Sequence, residues 1–267
     1  MARRRPISQS ISFFVNQDAF DMYKKNSLNR LMGHLSTYYV VGNKVGQGGN
    51  GTVFDVRDKR SGALLVVKLM PMTHKPIRSD QMQMDFDITR RLAEAGITVP
   101  VVFSISDSVE YAGYQYSEGY MVMAKGDTVR HFMAADMFQI FRRFIKMTRM
   151  DIFCSDIKPA NTIRYNNEVY LIDFDHTFCN EGSLRVFLKR IVQLCQHYAK
   201  KRPSLLHLKD LIERKAFPAM YRRHGVTGDK KDVHMLVAMI QCVFFSHMLG
   251  NPSASEEFFK RAWESSA

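Results

Sequence analysis

The chain has 267 residues, a length that allows one sizeable core or two modest lobes. Hydrophobic residues make up 46% and charged residues 24%, ordinary values for a globular protein that exclude a chain disordered throughout. The formal net charge of +12 indicates an acidic partner: a nucleic acid, an anionic protein or a phosphorylated ligand. The sequence contains no nucleic-acid-binding motif, so a solvated surface plus a phosphate site is the simpler explanation of the charge.

The four cysteines are widely spaced and form no CxxC pair; they are Cys154, Cys179, Cys195 and Cys242. This usage indicates reduced thiols in an intracellular compartment, the cytoplasm or the nucleus. Cys195 and His197 could face one metal, but two lone residues more often have a structural role.

The two ends of the chain carry different signals. Residues 1–36 form a basic leader with no apolar segment after its first arginines, which predicts no signal peptide, a solvated tail and a helix over residues 18–35. Near the other end, the apolar run at residues 235–248 contains Gln241, Ser246 and His247. It is too short and too polar to span a bilayer, so we expect a buried helix and no membrane partner.

A glycine-rich segment follows the first predicted strand, which covers residues 38–45. It reads Gly46-Gln47-Gly48-Gly49-Asn50-Gly51-Thr52-Val53, the pattern G-x-G-x-x-G-x-V, and β-forming residues come next. A Rossmann glycine motif would open a helix instead. The segment therefore predicts a hairpin lid whose backbone N–H groups bind phosphate oxygens, although by itself it also fits a simple glycine-rich turn.

Lys68 is a single cation inside an apolar predicted strand, fifteen residues after Val53. Most such lysines are edge residues whose ammonium reaches water. In a sheet built from hairpins, however, the third strand would place Lys68 under the glycine lid. A buried lysine requires an anion, and ATP phosphates together with a helix carboxylate would supply it.

A helix is predicted over residues 80–95, capped by Ser79 and ended by Gly96. Its apolar residues recur with helical spacing and predict a buried stripe of Met84, Ile88 and Leu92. Asp87 flanks that stripe and can face Lys68, with Asp85 as the alternative.

Beyond this helix the pattern changes from strands to helices. Strands are predicted at residues 99–105 and 116–123, and Ala124-Lys125-Gly126-Asp127 is a polar break suited to a hinge. A short hairpin is predicted around Asn166-Asn167, and amphipathic or apolar helices at residues 136–150, 184–198, 204–215, 232–249 and 252–263. The basic cluster at residues 200–202 is predicted to be a solvated helix end. The predicted class is α+β, a small antiparallel sheet with one main helix followed by a mainly helical part.

Phosphate-handling residues are concentrated in Cys154-Ser155-Asp156-Ile157-Lys158-Pro159-Ala160-Asn161, and Asp173 follows after the hairpin. Phosphoryl transfer needs a carboxylate to orient a hydroxyl, a cation for the phosphate and oxygen ligands for Mg²⁺. This stretch supplies all of them in order.

Taken together, Gly46 to Val53, Lys68, Asp156 to Asn161 and Asp173 make the chain resemble the eukaryotic-type protein kinase family over residues 37–250. The resemblance implies a bilobal fold with ATP and Mg²⁺ in the cleft. It divides the chain into a basic extension (1–36), an N-lobe (37–123), a hinge (124–127) and a shortened C-lobe (128–267).

The resemblance also implies a role for individual residues. Lys68 would hold the α- and β-phosphates, paired with Asp87. Met123 would be the gatekeeper, Ala124 and Lys125 would meet adenine, and Asp127 would contact ribose. The remaining roles are catalytic base for Asp156, γ-phosphate cation for Lys158, Mg²⁺ ligands for Asn161 and Asp173, and a brace on the catalytic loop for Asp232.

The chain departs from the family in ways that concern regulation. Ser155 stands where the family has the Arg of His-Arg-Asp, so activity should not depend on phosphorylation of an activation loop. The usual Asp-Phe-Gly reads Asp173-Phe174-Asp175, and no Ala-Pro-Glu is present. The abbreviated C-lobe is similar to the minimal kinases of bacterial effectors and large DNA viruses, which implies action inside a host cell.

Three functions follow as hypotheses. The first is a constitutively competent kinase that phosphorylates serine or threonine, since Lys158-Pro159 is the serine/threonine form of the loop. The second is a small-molecule phosphotransferase similar to aminoglycoside or sugar kinases, which Asp-Phe-Asp fits well. The third is a pseudokinase that binds a host or regulatory protein through its basic surface and the helices of residues 184–215.

Overall fold

The computed structural model describes residues 17–48, 51–71, 81–111, 114–174, 177–179, 183–216 and 230–250. The arginine-rich first residues, the Ser79 cap, Gly49, Asn50, Asp175 and the helix predicted at residues 252–263 lie outside this part. The chain divides into two compact units. The first unit comprises residues 1–83 and 104–121, and the second comprises residues 84–103 and 122–267.

A five-stranded antiparallel sheet dominates the first unit, and its strands are ordered β1-β2-β3-β5-β4. The strands are β1 (Tyr39–Gly48), β2 (Gly51–Asp58), β3 (Leu64–Met70), β4 (Val101–Tyr111) and β5 (Tyr114–Ala124). In β3 the residues Leu65, Val67 and Leu69 are buried, while the residues between them are half-buried. This alternation is the period of two that a strand imposes, and it confirms the strands predicted from the sequence.

Helix α1 (Gln17–Tyr38) precedes the sheet and confirms the helix predicted at residues 18–35. Ser27, Leu31 and Leu35, spaced four residues apart, are its buried positions. Polar bonds to β5 also hold α1. Arg30 Nη2 lies 2.9 Å from Glu118 Oε2, and His34 Nδ1 lies 2.8 Å from the Tyr120 hydroxyl.

Helix α2 (Gln81–Glu94) confirms the predicted helix but corrects its buried stripe. Ile88 and Leu92 are buried, whereas Met84 is 50% exposed and Phe86 is buried in its place. Spacing alone could not separate these two positions, because both border an apolar arc and only the packing partner selects one. Gly96 ends the helical segment with φ +67°, which glycine adopts without steric cost, and Ile97 N donates to Leu92 O at 2.8 Å.

The second unit is mainly helical. Its helices are α3 (Ala134–Arg149), α4 (Ser183–Ala199), α5 (Leu205–Leu211), which continues into a π-helical turn (Ile212–Ala216), and α6 (Lys230–Leu249). Short strands lie between them: β6 (Asp127–Thr128), β7 (Ile152–Cys154), β8 (Thr162–Tyr165), β9 (Glu168–Leu171) and β10 (Thr177–Cys179). The β8–β9 turn at Asn166 and Asn167 has positive φ at both residues, as a tight hairpin requires, and confirms the predicted hairpin.

One hydrophobic core fills the second unit. It includes Ile88 and Leu92 of α2, Ile140 and Phe144 of α3, and the apolar face of α6. Asp136 is buried at the start of α3, where its Oδ2 accepts from Met133 N and Arg164 Nη2, both at 2.9 Å. This bond joins α3 to β8, so the helix that precedes the loop at residues 154–161 and the strand that follows it are fixed to each other.

Helix α6 confirms the prediction of a buried helix, and even Gln241, Ser246 and His247 are buried in it. Arg202, which the sequence placed at a solvated helix end, is half-buried and donates through Nη1 to the carbonyl of His247. Among the helices that the structure describes, none is long and apolar enough to cross a membrane.

Candidate active site

The loop between β7 and β8 brings three of the predicted residues together around one carboxylate oxygen. Asp156 Oδ2 accepts from Lys158 Nζ at 2.7 Å and from Asn161 Nδ2 at 2.9 Å. Neither donor engages Oδ1, and the side chain is 28% exposed. Asp156 Oδ2 therefore accepts two hydrogen bonds, and Oδ1 can accept a hydrogen bond from a further donor.

The backbone of the same loop is fixed by short-range bonds. Asn161 Nδ2 also donates to the Asp156 carbonyl at 3.0 Å, and Asn161 N donates to the Lys158 carbonyl at 2.9 Å. A short 3₁₀ turn, Pro159–Asn161, begins with the proline, whose fixed φ suits a first helical position. These bonds join residues at most five positions apart, so the arrangement follows largely from the local sequence.

The electrostatics of Lys158 reflect its neighbours. Burial lowers its pKa, but the hydrogen bond and charge of Asp156 raise it, with further contributions from the charges of Asp173 and Tyr198. The balance leaves the pKa of Lys158 above its usual value. Lys158 is therefore a permanent cation at neutral pH, and Asp173 and Tyr198 lie within electrostatic range of it.

Asp173 follows β9 with an unusual backbone conformation. Its φ is +65°, in the left-handed region that non-glycine residues rarely adopt. Ile172 N donates to the Asn161 carbonyl at 2.9 Å, and Leu171 N donates to the Ile97 carbonyl at 3.2 Å. The residue before Asp173 is thus bonded to Asn161, and the left-handed backbone sets where the carboxylate can point. Such strain is typical of functional positions.

The chemistry of these two residues fits a magnesium ion. The Asn161 amide nitrogen is committed to Asp156, so its Oδ1 oxygen is the atom that can meet a cation, and Asp173 supplies a carboxylate. Mg²⁺ is commonly bound by one or two such oxygens together with substrate phosphates. Within the described residues, no group of three or more His, Cys, Asp or Glu could hold a metal by itself.

Sequence analysis missed a buried support of the loop. Gln241 of α6 is fully buried, and its Nε2 donates to the Cys154 carbonyl at 3.2 Å. A polar residue inside an apolar helix was the available signal, because a buried amide needs a partner. The Asp232 side chain, predicted to brace the loop, lies outside the described part. His234 of α6 instead contacts Asp151, with Nε2 3.1 Å from Oδ1.

The glycine-rich segment forms the predicted hairpin in the first unit. Gly46 lies opposite Val53 and Gly48 opposite Gly51, at the ends of β1 and β2. A Cβ at Gly51 would come within 2.4 Å of the Leu69 carbonyl oxygen, whereas Gly48 has no atom within 4 Å of that position. Close approach of β3 thus explains Gly51 without any ligand.

The other predicted nucleotide-binding residues lie on strands β1, β3, β5 and β6 or between the last two. Lys68 lies opposite Val53 in the β2–β3 register and is half-buried. Gln47 accepts from Lys44 Nζ, and Ala124 N donates to the Pro100 carbonyl at 2.9 Å. The remaining residues of this set are the half-buried Met123 and Lys125 and the exposed Asp127.

Asp87 is exposed on α2 and forms an ion pair with Arg90, with Oδ1 3.1 Å from Nη1. Lys68 belongs to the first unit and Asp87 to the second, so their pairing stays a prediction.

The hypothesis of a shared metal at Cys195 and His197 fails on geometry. Cys195 is fully buried on α4, and burial raises the pKa of its thiol to about 12. His197 is exposed, and two residues along a helix the side chains point about 200° apart. Cys195 is therefore a neutral core residue, in agreement with the structural role favoured above.

The sequence matches no protein-family model and no curated protein.

Proposed function

We propose that this protein is an ATP-dependent protein kinase that transfers the γ-phosphate to serine or threonine. The observation that carries the proposal is the shared oxygen of Asp156, held by Lys158 at 2.7 Å and Asn161 at 2.9 Å. That bonding leaves Oδ1 to accept a substrate hydroxyl. Phosphoryl transfer depends mainly on positioning and charge stabilisation, and this loop can supply both.

In this proposal Asp156 orients the acceptor hydroxyl and receives its proton as the hydroxyl oxygen bonds to the γ-phosphorus, while the bond from that phosphorus to the β–γ bridging oxygen breaks and ADP leaves. Lys158 balances the negative charge of the transferred group, and its raised pKa keeps it cationic throughout the neutral range. The Lys158–Asp156 bond also keeps the ammonium next to the base. One loop would then hold both the proton acceptor and the cation.

Asn161 Oδ1 and the Asp173 carboxylate are the residues that would hold Mg²⁺. When bound, the ion neutralises charge on the nucleotide phosphates. Asn161 then has two tasks in one side chain, since its nitrogen fixes Asp156 and its oxygen faces the metal. The left-handed backbone at Asp173 agrees with this assignment, because such conformations are frequent at ligand-binding and active sites.

The nucleotide itself would be bound by the glycine-rich segment, by Lys68 and by Met123, Ala124, Lys125 and Asp127, as the family resemblance implies. Ser155 is buried where the family has an arginine, so no cation is available there to bind a phosphorylated loop. We therefore propose that activity does not depend on prior phosphorylation.

The test is transfer of labelled phosphate from ATP with Mg²⁺ or Mn²⁺ to generic acidic and basic proteins. We expect transfer by the unmodified protein and by the control Asp107→Ala, which removes an exposed carboxylate on β4. We expect loss of about 10²-fold or more in Asp156→Ala. Transfer equal to that of Asp156→Ala under every metal would overturn the proposal. Transfer to a metabolite pool but not to proteins would replace it with small-molecule phosphorylation.

A further inference from the structure

Helix α4 has an unusual charge composition. Its seventeen residues, Ser183–Ala199, include no Asp and no Glu. They include Arg185, Lys189 and Arg190, and the turn that follows adds Lys200 and Lys201. A chain with a net charge of +12 concentrates much of its excess here, in a helix that no predicted nucleotide-binding residue occupies.

The charges of α4 share one face. Lys189, Arg190, His197, Lys200 and Lys201 are all exposed. At 100° per residue Lys189, Arg190 and His197 fall within an arc of about 100° of α4, and Lys200 and Lys201 follow in the turn at its end, about 17 Å along from Lys189. The opposite arc contains the buried Phe187, Ile191 and Cys195. We call the five exposed residues the α4 basic face.

Few charges in the part of the chain that the structure describes neutralise this face. Among the residues that the structure describes, none of its four lysine and arginine side chains has an ion-pair partner. The acidic residues on the neighbouring α5 and its π-helical turn are already paired with Lys209. Asp210 lies 3.9 Å and Glu213 3.0 Å from its ammonium.

The α4 basic face belongs to a helix that packs beside the catalytic loop. The Phe187 ring of α4 lies 5.6 Å from the Phe153 ring of β7, and both are buried. Phe153 comes three residues before Asp156. At the other end of α4, Tyr198 lies within electrostatic range of Lys158. Helix α4 is thus packed against the strand that leads into the loop proposed to carry out the transfer.

We propose that the α4 basic face binds an acidic segment of the protein substrate, so that the preferred acceptor lies next to a run of Asp or Glu. This inference rests on the proposed kinase function and names its substrate class. An extended chain rises about 3.4 Å per residue, so about five residues cover the 17 Å of the face. Clustered lysines and arginines commonly recognise acidic motifs in this way.

An acidic protein segment fits the face better than a nucleic acid does. Single-stranded nucleic acids are commonly bound by aromatic side chains on which bases stack, interleaved with cations. The exposed positions of α4 whose side chains are described include no Phe, Tyr or Trp. Lysine and arginine alone suit carboxylates spaced along an extended peptide.

The experiment compares two charge-matched variants of the full chain. Lys189→Gln, Arg190→Gln and Lys200→Gln together remove three charges from the α4 basic face. The control removes three exposed charges from α3, through Arg142→Gln, Lys146→Gln and Arg149→Gln. The substrates are two peptides with one serine, followed either by about five glutamates or by as many glutamines, to match the length of the face.

We expect the α4 variant to raise KM for the glutamate peptide about tenfold with kcat unchanged, and the α3 variant to change it less than about twofold. The difference should shrink as salt is added. Equal effects of the two variants, or an equal effect on the glutamine peptide, would overturn the proposal. Displacement of the glutamate peptide by single-stranded RNA at lower concentration than by polyglutamate would assign the face to nucleic acid instead.

Binding of the labelled glutamate peptide without ATP separates this inference from the proposed function. If binding depends on the α4 charges but no peptide is phosphorylated, the proposed binding surface is supported and the proposed kinase function is contradicted. If peptides are phosphorylated with a KM that does not depend on those charges, the kinase function is supported and the binding surface is contradicted. Absence of binding also overturns the surface.

Discussion

Two segments were recognised from their spacing but are organised differently: the loop at residues 154–161, which we propose is catalytic, and the glycine-rich hairpin at residues 46–53. In the loop, Asp156, Lys158 and Asn161 bond to one another at 2.7–2.9 Å. In the hairpin, Gly51 is explained by the nearby Leu69 carbonyl, and Gly48 has open space. A motif of polar side chains can thus fix its own geometry through hydrogen bonds within the motif. A motif of glycines has no such side chains, so the need for each glycine depends on the segment that lies beside it.

The largest test of this comparison changes one amide in the loop. Asn161→Asp would place a second carboxylate about where Asn161 Nδ2 lies, 2.9 Å from Asp156 Oδ2. Two like charges so close raise the pKa of one carboxyl, so we expect phosphoryl transfer to fall about 100-fold or more. The control Asn166→Asp makes the same change at an exposed turn residue that tolerates Asp. Equal rates of phosphoryl transfer for the two variants would show that transfer does not depend on the hydrogen bond between Asn161 and Asp156.

A second test concerns the hairpin. Gly51→Ala puts a Cβ within 2.4 Å of the Leu69 carbonyl oxygen, so strands β2 and β3 must shift. We expect the free energy of unfolding to fall by about 1–3 kcal/mol, measured by urea titration. Gly48→Ala is the matched control, with nothing within 4 Å of the new atom. If Gly48→Ala is the more destabilising of the two, packing does not explain Gly51.

A smaller effect is expected at the support beneath the loop. Gln241→Met keeps the volume but removes the donor to the buried Cys154 carbonyl. We expect a loss of about 0.5–1.5 kcal/mol in the free energy of unfolding, the net contribution of one hydrogen bond, and a reduced kcat, because Met cannot donate to that carbonyl and the loop loses a bond to α6. Met239→Leu, a buried change on the same helix, should cost less than about 1.5 kcal/mol and leave kcat unchanged. A kcat of Gln241→Met equal to that of Met239→Leu would show that the loop does not need this bond.

The smallest effect is a pH dependence. The pKa of Lys158 is raised in the folded protein, so its contribution to stability is complete below the unfolded value of 10.5 and is lost as pH rises through the higher folded value. We expect Lys158→Met to cost the same free energy of unfolding at pH 7 and at pH 9, and progressively less above pH 10.5. Lys146→Met, which removes an exposed lysine of α3, is the control measured over the same pH range. A cost that declines between pH 7 and pH 9 would contradict the raised pKa.

Much of the fold followed from local sequence patterns. The strand that contains Lys68, the Asn166-Asn167 turn and the glycine that ends α2 follow from the residue types within a few positions, and all were predicted. The buried face of α2 was predicted in part and wrong at Met84, because the choice between Met84 and Phe86 depends on what packs against the helix. Arg202 was predicted to be solvated and is instead bonded to α6, forty-five residues away in the chain.

The sequence alone determined the α+β pattern of the elements and the residues that converge on Asp156, since the bonds among these residues span five positions or fewer. Tertiary structure alone decided which glycine is sterically required, which amide supports the loop from α6, and that the cations of α4 lie on one exposed face of a helix packed against β7. These depend on contacts between segments far apart in the chain. Such contacts are selected by burial of the whole core, and no local pattern contains them.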